Sequence, residues 1–361
     1  MLKQQKIFFD FLRFSIGSAK EIPDSLKEAD WKELYRIAQK QCLVGVLFDG
    51  IKKLPTEHIG MKKELLLQWM AESQMLEKAN VRLNDAAIQV SEWFRKKGFR
   101  TCILKGQGNA LMYPNPYSRT SGDIDIWVEG GDKRVISFVR SISPHEKACY
   151  HHIKFPSYKG VEVEVHYRPS FLLCFWHNRK LQKYYDRVKE EQFSHRVMLG
   201  EQGEIAIPTV EFNLIFQLTH IYAHLMNEGI GLRQLLDYYY LLISDDLSLI
   251  RDRVQKELKE LGLWKFAGAI MYIMQEVFGM PASRLIVPPN EMYGRFVLNE
   301  VLEAGNFGRH DERNRFGRSK LGHNLQRVYR DIRLVRYFPA EALCEPLFRV
   351  WHFFWRLKHR R

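Results

Sequence analysis

Two acids stand one residue apart in Ser121-Gly122-Asp123-Ile124-Asp125-Ile126, within a β-prone run that ends Ile126-Trp127-Val128. Side chains alternate faces along a strand, so Asp123 and Asp125 point one way while Ile124 and Ile126 enter a core. Two carboxylates aimed at one spot repel each other unless a cation lies between them. That is the arrangement a divalent metal site asks for, and the pair is the expected active centre. A third acid is available downstream. Val161-Glu162-Val163-Glu164-Val165-His166 alternates strictly, placing the valines inward and Glu162, Glu164 and His166 on the opposite face.

The elements that must position these acids are legible around them. Residues 1–97 read as a helical region. Ile7, Phe8, Phe11, Leu12 and Phe14 form an apolar stripe, and Asp30 with Glu33 suggests a capping box opening a helix through about Gln41. Met61 to Lys97 is apolar at helical spacing and closes on Arg95-Lys96-Lys97-Gly98. From Phe99 the period changes, giving a core at 98–200: a strand at 99–104, a turn at Lys105-Gly106-Gln107-Gly108 and the Asp-Ile-Asp strand. A helix at 133–141 and a hairpin of 150–157 with 161–167 follow. Residues 201–361 read as a helical domain, with helices at 211–226, 232–243, 247–261 and 263–278. Gly229-Ile230-Gly231 breaks the first two apart, and 307–322 is expected to be a mobile loop before a basic helical tail.

Composition narrows the partners. The chain of 361 residues carries a formal charge of +13, and from Asp311 onward thirteen Lys or Arg face five Asp or Glu. Polyanions are electrostatically favoured partners, whether nucleotide triphosphates, nucleic acid or acidic lipid. The tail from Leu347 to Leu357 interleaves Arg349, His352 and Arg356 with Phe348, Trp351, Phe353, Phe354 and Trp355, which suits helix packing, a membrane surface or nucleic acid. Five scattered cysteines, with no CxxC or Cys/His zinc spacing, read as isolated reduced thiols. Asp10 and Arg13 interrupt any signal-peptide core, and the best uncharged apolar run, 266–274, falls far short of a membrane span. A cytoplasmic protein is expected.

The ordered set Leu104-Lys105-Gly106, Tyr113-Pro114-Asn115-Pro116, Arg119-Thr120-Ser121-Gly122-Asp123-Ile124-Asp125 and Glu164-Val165-His166 resembles the uncharacterised nucleotidyltransferase family, within the DNA polymerase β-like superfamily. The resemblance spans roughly residues 60–245. It implies an α+β fold, a polymerase β-like mixed sheet with flanking helices, embedded between N- and C-terminal helical regions. It also implies two-metal transfer of a nucleoside monophosphate from an NTP such as ATP to an unknown acceptor, a small molecule, protein or RNA. Asp123, Asp125 and Glu164 would hold Mg²⁺ or Mn²⁺, with Glu162 in reserve. Lys105, Gly106, Gln107, Arg119, Ser121, Gly122 and Arg233 would contact the nucleotide.

Two departures stand out. Gly106-Gln107 replaces the superfamily's Gly-Ser turn, leaving backbone N–H groups of 106–108 to carry phosphate, and the third acid is Glu where Asp is more frequent. A non-catalytic nucleotide- or RNA-binding module is therefore the alternative. Three further features read as local structure. His220 and His224 share a helix face without an HExxH setting, Arg233 and Asp237 are spaced for an intrahelical ion pair, and His166 is expected to pack or to orient Glu164.

Overall fold

Helices form wherever the apolar period is 3.6, and they begin the chain. In the computed structural model, which describes residues 3–201, 203–244, 247–308, 311, 313 and 320–359, α1 (Lys3–Ile16), α2 (Trp31–Gln41) and α3 (Val44–Ile51) precede the long α4 (Lys63–Lys96). Asp30 caps α2 by accepting from the N–H groups of Lys32 and Glu33 at 3.0 and 3.1 Å. The expected reciprocal half of the capping box is absent. The Asp30 N–H donates to Gln4 Oε1, while Glu33 pairs with Arg36.

The middle of the chain alternates strands with short helices: β1 (Thr101–Ile103), the single turn α5 (Gln107–Ala110), β2 (Ile124–Val128) and α6 (Gly131–Ile142). The hairpin β3 (His152–Tyr158) and β4 (Val161–His166) follows, turning through Lys159 and Gly160, both at positive φ. Strand order is β1-β2-β4-β3, with β2 parallel to β4 and the outer pairings antiparallel. The β2–β4 register sets Ile124 opposite Val163, Asp125 opposite Glu164 and Trp127 opposite His166.

That register sorts the two faces of the sheet. Ile124, Ile126, Val128, Val163 and Val165 join one hydrophobic cluster with Leu83, Ala87, Val90 and Phe94 of α4 and with Val135 and Val139 of α6. Trp127 joins the other cluster and packs on Phe193 and Phe212, their rings 4.6 and 5.8 Å away. Phe193 belongs to α7 (Phe175–Ser194), which leads into the small hairpin β5 (Arg196–Met198) and β6 (Glu204–Ala206). Phe212 belongs to α8 (Val210–Asn227).

The remainder is helical: α9 (Leu232–Ile243), α10 (Arg251–Glu260), α11 (Trp264–Phe278), α12 (Glu291–Ala304), α13 (Lys320–Val335) and α14 (Pro339–Lys358). The glycine break between α8 and α9 has a packing reason. A Cβ on Gly231 would press on Asn306 at 3.1 Å, and one on Gly229 would press on Ala304 at 2.9 Å, so these glycines let the 304–308 segment cross. Most of the expected mobile loop, 309–310, 312 and 314–319, lies outside the described residues. In α14, Phe348, Trp351 and Trp355 pack on the Tyr150 ring, while Leu343, Leu347, Val350 and Phe354 are exposed. The cluster that holds Trp127 draws on α1 to α3, the sheet and α8 to α14 alike. No described helix is long and apolar enough to cross a membrane.

The loop that carries Arg119 to Asp123 is pressed against α3, because Gly45 has no side chain to hold the Ser118 carbonyl away. Gly45→Ala is therefore expected to destabilise the protein by about 1–3 kcal/mol through overpacking, read as a lower urea midpoint with an unchanged slope.

Candidate active site

Asp125 lies at the centre of the sheet with 4% of its surface exposed, and it is ionised. Burial works against that charge, but Lys105 and His166 outweigh it and hold the carboxyl below the usual range. Lys105 Nζ is 2.9 Å from one carboxylate oxygen, and His166 Nε2 donates to the other at 2.8 Å. Burial likewise opposes charge on His166, yet Asp125 and Glu164 raise its pKa to about 9. His166 thus attends Asp125 more closely than the expected Glu164, whose Oε2 is 3.7 Å away. Parallel pairing explains this: Asp125 sits beside Glu164, and His166, two residues further along the same face, reaches back to it.

Glu164 is half-buried, with His152 Nδ1 at 3.6 Å from Oε2. Burial opposes its ionisation, and His166 and His152 prevail to keep its carboxyl below the usual range. Asp125, Glu164 and His166 each present a ligand atom within 4.8 Å of the others. Asp123, one residue ahead of β2, differs: among the described residues it makes no ion pair within 4 Å. The charge of Asp125, then burial, pushes its carboxyl above the usual range, with Glu164 adding to the effect. A divalent cation is the species that would reverse this repulsion, and an oxygen-rich donor set of this kind fits Mg²⁺ or Mn²⁺.

Asp123 and Asp125 face a cleft whose opposite wall is built by α8 and α9. Gln217, His220, Arg233 and Gln234 line that wall, with Asn306 at its edge. His220 is held neutral, mainly by burial and next by Lys105, so its Nε2 accepts a hydrogen bond from Lys105 at 3.3 Å. Arg233 Nε, Gln234 Nε2 and Asn306 Oδ1 are buried here and lack a hydrogen-bond partner among the described residues. Burial foremost, then the nearby Arg119 charge, holds the Arg233 guanidinium below its ordinary pKa. Such a cation would gain from an anion in the cleft.

The floor is a buried ion pair. Arg119 donates from Nε and Nη2 to the two oxygens of Asp237, both at 2.7 Å, and Tyr113 Oη donates to the same carboxylate at 2.7 Å. The expected Arg233–Asp237 pair within α9 is thereby displaced. Asp237 turns to Arg119, and Arg233 Nη1 donates to the Thr120 carbonyl at 3.2 Å. Arg119, expected among the nucleotide contacts, lines the cleft but is 3% exposed, and its pair with Asp237 also orders the loop. Asn80 Nδ2 clamps the same loop by donating to the carbonyls of Tyr117 and Arg119, at 2.8 Å each.

Other expected site residues divide. Lys105, Gly106, Ser121 and Gly122 line the cleft. The Gln107 side chain is buried and donates to Asn84 of α4, and the Gly108 N–H donates to the Lys105 carbonyl, so neither group faces the cleft as a free donor. Glu162 is exposed on β4. Sequence reasoning missed Asn109, Gln217, Gln234 and Asn306, whose amides come from distant stretches and carry no local signature. It also missed that Lys105 would rest on Asp125. The run of imidazole groups at His151-His152 was visible in the sequence and would have pointed to the Glu164 neighbourhood.

A mixed sheet with acids at the head of an inner strand, flanked by helices that wall a cleft, makes an α+β architecture. Residues 27–279 match the sequence profile of the uncharacterised nucleotidyltransferase family, and the chain belongs to that family. No curated protein matches. One solved structure, an antigenic nucleotidyltransferase-like protein from Paracoccidioides brasiliensis, aligns over 62% of this chain and 98% of its own at 12% identity and a TM-score of 0.34, a likeness too loose to bear on mechanism.

Removing the floor's carboxylate leaves Arg119 buried and unpaired. Asp237→Asn is expected to cost about 3–5 kcal/mol of stability at neutral pH, measured by urea denaturation. Burial opposes charge on Asp237, but Arg119 prevails and its folded pKa lies below the ordinary value. The pair's contribution is therefore complete above the ordinary carboxylate value of ~3.9 and is lost as pH falls through the folded one. The gap between wild type and variant should narrow across that acid window.

Proposed function

We propose that this protein transfers a nucleoside monophosphate from an NTP to an acceptor hydroxyl or phosphate, with Asp123, Asp125 and Glu164 holding the required divalent cations. The observation that carries the reading is the β2–β4 register, which puts Asp125 beside Glu164, with Asp123, free of ion pairs among the described residues, lining the same cleft as Asp125. Family membership supports nucleotidyl transfer as the reaction class.

Bound Mg²⁺ or Mn²⁺ would neutralise triphosphate charge and ease deprotonation of the acceptor. The chain's own groups do the rest. His166 fixes one oxygen of Asp125 and leaves that carboxylate oriented toward the cleft. Lys105 neutralises Asp125 and is placed to move its charge toward phosphate. Arg233, with Nε unpartnered, meets the triphosphate from the opposite wall. Glu164, held ionised, accepts the acceptor's proton as the acceptor oxygen bonds to the α-phosphorus and the bond to the departing pyrophosphate breaks.

Calorimetric titration of Mg²⁺ with each NTP should show binding to wild type and none to Asp123→Ala/Asp125→Ala. Pyrophosphate should be released with cell-extract acceptors, and label from the α-phosphate should end on the acceptor. Transfer of γ-label would instead make it a phosphotransferase, and binding without release would leave the binding-module alternative. Loss of the charged hydrogen bond in Arg233→Ala should raise the KM for NTP roughly tenfold to a hundredfold, with a smaller effect on kcat.

A further inference from the structure

Away from the cleft, two cysteines far apart in sequence meet. Cys174 immediately precedes α7 and is fully buried, and Cys344, on α14, lies within hydrogen-bonding reach of its thiol. Each has a companion ligand type three residues away: His177 in the first turn of α7, and Glu341 in the first turn of α14. Residues three apart on a helix share a face, so the two segments present their pairs to each other. Ligand atoms of Cys174, His177 and Glu341 all lie within 4.8 Å of one another. Cys-x-x-His and Glu-x-x-Cys stand far apart in sequence and become neighbours only in the fold.

Glu341 supplies an independent sign that something is bound there. It is 3% exposed. Its Oε2 accepts from the N–H groups of Leu173 and Cys174, at 2.6 and 3.2 Å. Its Oε1 is buried with no hydrogen-bond donor, and His177 Nδ1 is 3.6 Å away. A buried carboxylate oxygen with no hydrogen bond among the described residues is costly, and an imidazole at that distance satisfies it only weakly. Gly262 packs directly against the His177 ring, leaving no room for a side chain and holding the imidazole beside the cluster.

We propose that Cys174, His177, Glu341 and Cys344 form a structural zinc site that staples α14 to the start of α7. Cys174, His177 and Glu341 already gather, and Cys344, beside the Cys174 thiol, would supply the fourth donor of a tetrahedral set; the softness of the thiolates selects Zn²⁺ over Mg²⁺ or Ca²⁺. On binding, both thiols release their protons to solvent, His177 binds neutral, and no oxidant or reductant is involved. With four protein ligands, the site has no open position and serves the fold.

The test is metal analysis of the full-length protein, purified without chelator. Wild type should carry about one zinc per chain, as a closed four-ligand site requires. Zinc should be lost from Cys174→Ser/Cys344→Ser and from His177→Ala, and retained in Asp123→Ala/Asp125→Ala and Cys149→Ser. Should the serine variant fail to fold, cobalt replacement in wild type gives a second readout, a thiolate-to-cobalt charge-transfer band with intense tetrahedral d–d absorption. Wild type free of zinc and lacking that band on cobalt addition overturns the proposal. So does undiminished zinc in a folded serine variant, or a Cys174–Cys344 disulfide in protein prepared without reductant.

Discussion

An ionised carboxylate buried in the middle of a sheet is the constraint on which this structure turns. Asp125 is tolerable only because Lys105 enters from the end of β1 and His166 from β4, each carrying a cation to one of its oxygens. Both partners depend on strand register. A one-residue slip of β2 would turn Asp125 into the cluster formed by α4 and α6 and bring Ile124 and Ile126 to the cleft side. The hydrophobic pattern that fixes the sheet and the charge pattern that builds the site are therefore one specification.

The Arg119–Asp237 pair does for the cleft what His166 does for Asp125. It ties the loop entering β2 to α9, which lies far along the chain, and so sets the distance between the acidic and cationic walls. Asp237 serves Arg119 through a bidentate pair, leaving Arg233 close to a second guanidinium and, among the described residues, without a carboxylate within ion-pair distance. Negative charge accumulates at Asp123 on one wall and positive charge at Arg233 on the other. A metal-bound triphosphate carries both signs in sequence and can satisfy both walls at once, which a simple anion or cation cannot.

Much of this was legible along the chain. Alternation in Ile124 to Val128 and in Val161 to His166 was enough to place the acids on one face and the aliphatics on the other. The α9 bounds and the α2 stop at Gln41 followed from periodicity and end signals. What local rules missed were choices made by distant residues. The i,i+4 spacing of Arg233 and Asp237 suits a pair in an isolated helix, but burial lets a better-placed guanidinium from the loop take both oxygens. Gln107 reads as a turn residue facing ligand, yet α4 offers it Asn84. His166 reads as a neighbour of Glu164 until the parallel partner strand supplies Asp125.

The two proposed ion sites differ in chemistry, which raises the question of how each would keep its own metal. Zinc binds mixed nitrogen and oxygen donors more tightly than magnesium, so proximity of imidazoles to Asp125 and Glu164 would invite it into the cleft. The state of His166 answers this. Held in its charged form by the two carboxylates, it donates a hydrogen bond and has no lone pair at Nε2 to offer, so the group nearest the acids acts as a cation toward them. The acids of the cleft present oxygens, whereas the proposed cluster between α7 and α14 would present two sulfurs.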